Sequence, residues 1–274
     1  MEFTKTTEQD SRYNDIDKMS VGEILHAINA EDRTVADAVN KELKAIEELT
    51  KATTKALQNG GRIFYIGAGT SGRLGILDAS ECPPTFGVEK GLVIGLIAGG
   101  DSAIRDAVEF AEDSMNAAWQ DLQTYNVSTD DIVIGIAASG TTPYVLGALQ
   151  ACKEHGIATG SITCNLGNPI AQVADYAVTV VVGPEFITGS SRMKAGTAQK
   201  MVLNMLSTAT MIKMGRVKGN KMVDMQLSNN KLIDRAVRIL QQELDISTKE
   251  AQLWIDRYPN VRDAIKAYND ASNR

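Results

Sequence analysis

The stretch Ile63-Phe-Tyr-Ile66, followed by Gly67-Ala-Gly69-Thr-Ser-Gly72-Arg-Leu-Gly75, decides the fold class of this chain. Its first four residues are apolar and predict a buried strand, and the periodic pattern over Arg73–Cys82 predicts a helix. A glycine-rich turn between a strand and a helix directs backbone N–H groups and a helix N-terminus at one point, which favours an anion there. The hydroxyls of Thr70 and Ser71 add two donors, so the turn predicts a phosphate-binding site.

The same alternation of apolar stretches and helical patterns continues along the chain. Four more stretches predict buried strands, over Leu92–Ile97, Ile132–Ile136, Ala158–Thr163 and Ala177–Val182. Helical patterns separate them over Ile104–Leu122, Pro143–Glu154 and Pro169–Ala174. Strands that are apolar on both faces and alternate with helices are typical of a parallel sheet covered on both sides. We therefore predict an α/β fold, a three-layer doubly wound sheet of five parallel strands.

Helices are predicted before and after this sheet. Ser20 is placed to cap a first helix that includes Ile28, and Val35–Gln58 predicts a second. A long helix is expected over Ser191–Val217. A small C-terminal bundle of three helices is expected over Leu232–Leu244, Ser247–Ile255 and Val261–Tyr268. These patterns predict two domains, residues 1–225 with the sheet and N-terminal helices, and residues 226–274 with the bundle.

The composition excludes several classes of protein. A net charge of −6 over 274 residues, without a basic stripe, argues against a nucleic-acid partner. The apolar runs are far too short to span a membrane, and the N-terminus lacks the apolar core of a signal peptide. Three cysteines and two histidines without metal-ligand spacing favour a reduced, cytoplasmic location and no structural zinc site.

Two further clusters of hydroxyls are expected at the edge of the sheet where ligands bind, the carboxyl ends of the strands. One follows the third strand, where Pro143 suits the first position of a helix. The other opens the long helix after the fifth strand. Taken by itself, each cluster is explained more simply by helix capping and by solvated charges. Together with the first turn they predict the following substrate-binding residues: Gly69, Thr70, Ser71, Gly72, Arg73, Ser139, Gly140, Thr141, Thr142, Ser190, Ser191 and Lys194.

A dinucleotide site is the alternative for the first turn, because Gly67-x-Gly69-x-x-Gly72 matches the dinucleotide fingerprint. The acidic partner of that fingerprint lies about 20 residues further on. Here Asp101, at the end of the second predicted strand, is 34 residues after Gly67. A sugar monophosphate therefore fits the turn better than a dinucleotide.

Two carboxylates are candidates for acid/base chemistry, although the spacing of each also fits a solvated helix residue. Glu81 precedes Pro83 and Pro84, which we expect to end the helix and to bury the carboxyl. Glu112 is expected inside the helix after the second strand. Two carboxyls in different environments can divide the roles of acid and base.

These segments resemble the N-acetylmuramic acid 6-phosphate etherases, a family with the sugar isomerase (SIS) fold. The matching segments are Ile28–Asp32, Gly67–Gly75, Leu77–Gly87, Ala138–Tyr144 and Gly183–Gln199. The resemblance implies a homodimeric enzyme of bacterial cell-wall recycling without a metal or organic cofactor. Such an enzyme would release D-lactate from its substrate and leave N-acetylglucosamine 6-phosphate. By position, Glu81 matches the proton donor of the family and Glu112 its second catalytic carboxylate.

The expected mechanism is elimination of lactate through an unsaturated aldehyde, followed by addition of water. Glu81 would act as the acid, with a pKa raised by burial, and Glu112 would share in proton transfer at C2. Two alternatives remain on the same fold. A sugar-phosphate-sensing regulator, similar to the glucokinase regulatory protein, needs the phosphate site but neither carboxylate. A sugar-phosphate isomerase would interconvert aldose and ketose without releasing lactate.

Overall fold

A computed structural model describes residues 3–108 and 110–272 and confirms the predicted α/β fold. Five parallel strands form one sheet in the order β2-β1-β3-β4-β5. The strands are β1 Ile63–Gly67, β2 Val93–Ile97, β3 Ile132–Ala137, β4 Ala158–Thr163 and β5 Tyr176–Thr179. The chain runs from β1 to β2 on one side and returns to β3 on the other, with Ile63 paired to both Val93 and Ile132. This reversal opens a crevice at the carboxyl ends of β1 and β3, where doubly wound sheets bind ligands.

Helices cover both faces of the sheet. Those of the N-terminal and sheet regions are α1 Val21–Asn40, α2 Leu43–Gln58, α3 Gly69–Phe86, α4 Ala117–Thr124, α5 Pro143–Glu154, α6 Pro169–Val173 and α7 Lys194–Lys213. On one face Gly160 of β4 makes room for Leu49 of α2, whose Cδ1 would lie 2.5 Å from a Cβ at this position. On the other face Gly135 of β3 admits Val145 of α5 in the same way. Glycines in central strands thus allow helices to approach the sheet closely.

The helix boundaries differ from the prediction at the N-terminal pair and in α7. A single helix continues from Val21 to Asn40, and the break falls at residues 41 and 42 rather than before Val35. A capping box between Ser20 and Glu23 begins α1 as predicted. The last long helix is shorter than predicted, because the hydroxyl-rich segment before Lys194 forms turns.

The region predicted as one helix over Ile104–Leu122 is mostly irregular. Single 3₁₀ turns occupy Asp101–Ile104 and Ala111–Asp113, and among the described residues of this region only Ala117–Thr124 forms an α-helix. Phe110 adopts a left-handed conformation (φ 60°), which is incompatible with a continuous α-helix. The prediction that Glu112 lies inside a helix is therefore wrong, since this residue lies in a 3₁₀ turn.

The two prolines do not end α3 where the sequence predicted. The helix includes Pro83 and Pro84 and continues to Phe86. It ends at Gly87, whose φ of +63° is favourable only for glycine and whose N–H donates to the Pro83 carbonyl at 2.9 Å. Each proline lacks an N–H, so α3 loses one backbone hydrogen bond at each of these two positions but still continues to Phe86.

The chain divides into two compact units. The first contains the residues up to Ala79 and Val93–Thr210, and the second contains Ser80–Leu92 and the residues from Met211 on. The second unit includes α8 Asn230–Leu244, α9 Thr248–Ile255 and α10 Val261–Ser272, the three helices predicted for the C-terminal bundle. Their apolar side chains form a separate core that includes Leu240, Ile255 and Val261. Autonomous domains at residues 1–225 and 226–274 stay a prediction.

No helix in the described part of the chain combines the length and apolar character needed to cross a membrane.

Candidate active site

The glycine-rich segment after β1, which includes the first turn of α3, lies against the first turns of α7. Ser71 is buried, and its hydroxyl donates to Oε1 of Gln199 at 2.9 Å. A Cβ placed on Gly196 would lie 3.4 Å from Cγ2 of Thr70, so the two elements touch. The Nε2 group of Gln199 is buried and has no hydrogen-bond partner in the part of the chain that the structure describes. Gln199 was not among the predicted site residues, and its place beside Ser71 depends on tertiary contact.

The turn after β3 is held in shape by hydrogen bonds among its own hydroxyls. The backbone N–H and the hydroxyl of Thr141 donate to the Ser139 hydroxyl at 3.2 and 3.1 Å. Gly140 has a φ of +73°, and a Cβ there would lie 2.2 Å from Cγ of Asn168. Thr142 precedes α5 without making a side-chain capping bond. Capping therefore does not account for the Thr142 hydroxyl, and a ligand-binding role stays a prediction.

Two buried asparagines support this turn, and sequence analysis missed both. Asn165 donates through Nδ2 to the carbonyl of Ser139 at 3.1 Å. The N-terminal segment reaches the same asparagine, where the N–H of Thr7 donates to Asn165 Oδ1 at 3.1 Å. Asn168 donates to the carbonyl of Asn165 at 2.7 Å. These residues carry no motif of their own, because Asn165 acts through contacts with Ser139, 26 residues away, and with Thr7, 158 residues away.

In the third cluster, the charge of Lys194 is satisfied within the protein. The side chain of Lys194 is buried and forms an ion pair with Glu31 of α1. The N–H groups of Lys194 and Ala195 donate to the two carboxylate oxygens of the buried Glu185, each at 2.9 Å. Glu185 thus supplies the negative charge that a helix N-terminus attracts. Burial raises the pKa of Glu185, and the two N–H donors oppose that rise.

Arg73 and Glu112 line one cavity of about 210 Å³. It lies at the carboxyl ends of β1 and β2, since Ala68 and Ala98 directly follow these strands. The Nε group of Arg73 donates to the Ile104 carbonyl at 2.9 Å, which fixes the side chain against the irregular segment after β2. The structure therefore brings a cation and a candidate catalytic carboxylate together in a small, largely apolar cavity.

Glu81 lies on α3 and belongs to the second unit. Its side chain is exposed, so the expected burial of this carboxyl behind Pro83 and Pro84 is wrong for the single chain. The reason is that both prolines continue the helix instead of folding the chain back over Glu81.

Asp78, one turn before Glu81 on the same helix, carries a perturbed carboxyl. Ser207 of α7 donates to its Oδ1 at 3.0 Å. Burial raises the pKa of Asp78 to about 6, with Ser207, Tyr65 and Lys200 acting in the opposite direction. The folded protein therefore binds a proton more tightly at this position than the unfolded chain does.

This difference gives a testable pH dependence. Between about pH 4 and pH 6 the folded state holds more protons at Asp78, so the free energy of unfolding falls as pH rises and levels off above 6. Asp78→Asn is expected to remove this part of the slope, as measured by urea unfolding at pH 4.5 and pH 7. The exposed Asp106→Asn is the control. An unchanged slope in Asp78→Asn would contradict the assignment.

The fold and these turns define the class of protein. The chain matches the SIS domain family over residues 109–209 and the N-terminal SIS domain of the glucokinase regulatory protein over residues 43–153. Residues 219–265 match the C-terminal lid domain of that regulatory protein. Two solved structures share the fold alone. One is a phosphoheptose isomerase from Neisseria gonorrhoeae, which is 18% identical with a TM-score of 0.53; the match covers 70% of this chain and 98% of the isomerase. The other is a putative phosphosugar isomerase from Bacteroides fragilis, which is 18% identical with a TM-score of 0.55; the match covers 72% of this chain and 94% of that protein.

Closer relatives narrow the class to one family. A protein of Christiangramia forsetii is 56% identical over 97% of both chains. A protein of Bacteroides thetaiotaomicron is 58% identical over 98% of this chain and 97% of its own length. Both are named N-acetylmuramic acid 6-phosphate etherase. The chain belongs to the N-acetylmuramic acid 6-phosphate etherase family, as its motifs indicated.

Proposed function

We propose that this protein is a carbon–oxygen lyase that cleaves the D-lactyl ether of N-acetylmuramic acid 6-phosphate. With water as the second reactant, it forms N-acetylglucosamine 6-phosphate and D-lactate. The observation that carries this proposal is identity of more than 55% to etherases over nearly the full length of both chains. The sugar-phosphate-sensing regulator and the isomerase are not favoured, because relatives with those names share only domains or the fold.

The turns after β1 and β3 suit the 6-phosphate of this substrate. Adjacent pairing of β1 and β3 brings the ends of the two strands together at Gly67 and Ile136. Thr70, Ser139, Thr141 and Thr142 are half-buried and offer hydroxyl donors there, and α3 and α5 begin at the same edge. Helix N-termini and hydroxyls are typical donors to phosphate. Ser190, Ser191 and the glycines 69, 72 and 140 complete the proposed binding set.

The chemistry requires a proton to leave C2 and another to reach the ether oxygen. Opening of the sugar ring exposes the C1 aldehyde, which makes the C2 proton acidic. Removal of this proton expels lactate from C3 and leaves an unsaturated aldehyde, to which water then adds at C3. We assign proton transfer at C2 to Glu112 and protonation of the departing lactate oxygen to Glu81. The motif match to the family supports both roles, and each such transfer contributes about 10²- to 10⁴-fold to rate.

The direct test is to incubate the protein with N-acetylmuramic acid 6-phosphate and to measure D-lactate and N-acetylglucosamine 6-phosphate. Equal amounts of both products, with one oxygen of the sugar derived from labelled water, are expected. Release of no lactate, or formation of a ketose phosphate, would contradict the proposal.

Glu112→Gln separates the two halves of the mechanism. We expect this variant to lose deuterium exchange at C2 in D₂O together with at least about 10²-fold in lactate release, because glutamine cannot accept the proton. The adjacent, exposed Asp113→Asn is the matched control and should keep both activities. Normal exchange at C2 in Glu112→Gln would assign the base elsewhere.

We further propose a cytoplasmic homodimer that serves cell-wall sugar recycling. Support for a dimer comes from apolar side chains left exposed on the first turns of α1, where Val21 and Leu25 are 73% and 62% exposed. Adjacent exposed apolar side chains on one helix face are a candidate contact surface for a second copy of the chain. Light scattering should give twice the chain mass of 29.5 kDa, and a monomer at micromolar concentration would contradict the dimer.

A further inference from the structure

The cavity that holds Arg73 and Glu112 has an unusual lining. Apart from these two residues its described walls are apolar or glycine, and most of them are small, with Ala98, Ala103, Ala107 and Val108 among them. A volume of about 210 Å³ is below the roughly 300–1,000 Å³ of pockets that enclose a whole ligand, so the cavity fits part of a sugar phosphate. The cavity therefore suits one substituent of the substrate, with one apolar part and one anionic part.

Arg73 has donors left over for an anion. Its Nε group is used by the Ile104 carbonyl, which sets the plane of the guanidinium group. No described residue accepts a hydrogen bond from its Nη atoms, and Glu112 forms no ion pair with it among the described residues. Four N–H groups of a planar cation therefore have no acceptor among the described residues, and their arrangement matches the two oxygens of a carboxylate.

The position of the cavity separates it from the proposed phosphate site. In the sheet order β2-β1-β3, the hydroxyl turn at Ser139–Thr142 follows β3, whereas the cavity lies over the ends of β1 and β2. The phosphate of the substrate is on C6, and the lactyl ether is on C3, two carbons beyond C5. A substrate with its phosphate at the β1–β3 crevice would place its other end near β2.

We propose that Arg73 binds the carboxylate of the D-lactyl group, and that the alanine and valine wall receives its methyl group. This inference rests on the proposed function and makes Arg73 the residue that selects a lactyl ether over other ethers at C3. It also places a cation beside Glu112, which offsets the repulsion between this carboxylate and that of the substrate. Because C2 is next to C3, the proton transfer that we assign to Glu112 would then take place at the same cavity.

The test compares two substrates and three proteins, with Arg73→Lys as an additional variant. The substrates are N-acetylmuramic acid 6-phosphate and its lactamide analogue, in which the carboxylate is replaced by an uncharged amide. The measured quantity is the rate at which N-acetylglucosamine 6-phosphate forms. The proteins are the wild type, Arg73→Gln and the control Arg105→Gln, an exposed arginine in the same segment that does not line the cavity. Arg73→Lys tests whether charge without the planar geometry is sufficient, and thermal unfolding checks that each variant is folded.

We expect kcat/KM of the wild type and of Arg105→Gln to be about 10- to 100-fold lower on the amide than on the natural substrate. This range corresponds to the loss of one charge-assisted contact. Arg73→Gln should lose a similar factor on the natural substrate and show almost no further loss on the amide. The assignment would be overturned if Arg73→Gln lost the same factor in kcat/KM on both substrates and so still preferred the natural substrate over the amide as strongly as the wild type does. A wild type that converts neither substrate would instead overturn the proposed function, so the two failures are distinguishable.

Discussion

Glu81→Gln is expected to lower the rate of D-lactate release by about 10²- to 10⁴-fold, equivalent to about 3–5 kcal/mol in activation free energy. An alkoxide is a poor leaving group, so the ether oxygen must be protonated as its bond to C3 breaks, and glutamine has no proton to give. Glu81 is exposed in the single chain, and the substitution keeps its size, so the fold should be unaffected.

The measurement is D-lactate release under saturating substrate, together with binding of the substrate to the inactive variant. Because Glu81 is assigned to the chemical step, kcat should fall while the dissociation constant changes little. Glu89→Gln, an exposed glutamate shortly after the same helix, should behave as the wild type. Lactate release from Glu81→Gln at a near-normal rate would assign the acid to another group.

Among the variants proposed for this protein, loss of the ion pair between Lys194 and Glu31 is expected to have the largest effect on stability. Lys194→Met should lower the free energy of unfolding by about 3–5 kcal/mol, because it leaves the Glu31 carboxylate buried without its main partner. Arg12 lies 4.0 Å from the other oxygen of Glu31 and compensates only in part, since its own side chain is largely exposed. Urea unfolding measures this loss directly.

Two further variants separate a structural role from the predicted substrate-binding role of Lys194. The double variant Glu31→Leu with Lys194→Met should recover much of the stability, because an apolar pair removes both buried charges. Lys200→Met, on an exposed position of α7, is the matched control. If Lys194→Met kept normal stability and instead raised KM, the substrate-binding role would be supported and the structural one would be wrong.

The strands and their class could be predicted because the signal is local. Strands β1, β2 and β3 are short runs of apolar residues, and burial on both faces of β1 and β3 leaves no alternation typical of a half-exposed sheet. The motifs at Gly67–Gly75 and Ala138–Tyr144 also lie next to strands, so their place at the carboxyl edge followed from chain direction alone. Helix ends were less predictable, as Pro83, Pro84 and Phe110 show.

The remaining features depend on which distant residues meet. No pattern near Lys194 indicated that Glu31 and Glu185 would satisfy its side chain and the start of its helix, since these carboxylates come from a separate helix and from a turn. Asn165 and Asn168 were not predicted, because a single buried amide has no periodicity, and Gln199 was part of a family segment but was not assigned to the site. The irregular segment after β2, which brings Glu112 to the cavity of Arg73, was predicted as a helix from its composition. Local pattern was enough for the sheet, the turns and the family motifs, because these follow from neighbours in the chain. Tertiary packing decided which charges pair internally and which remain free for a ligand, because that depends on burial.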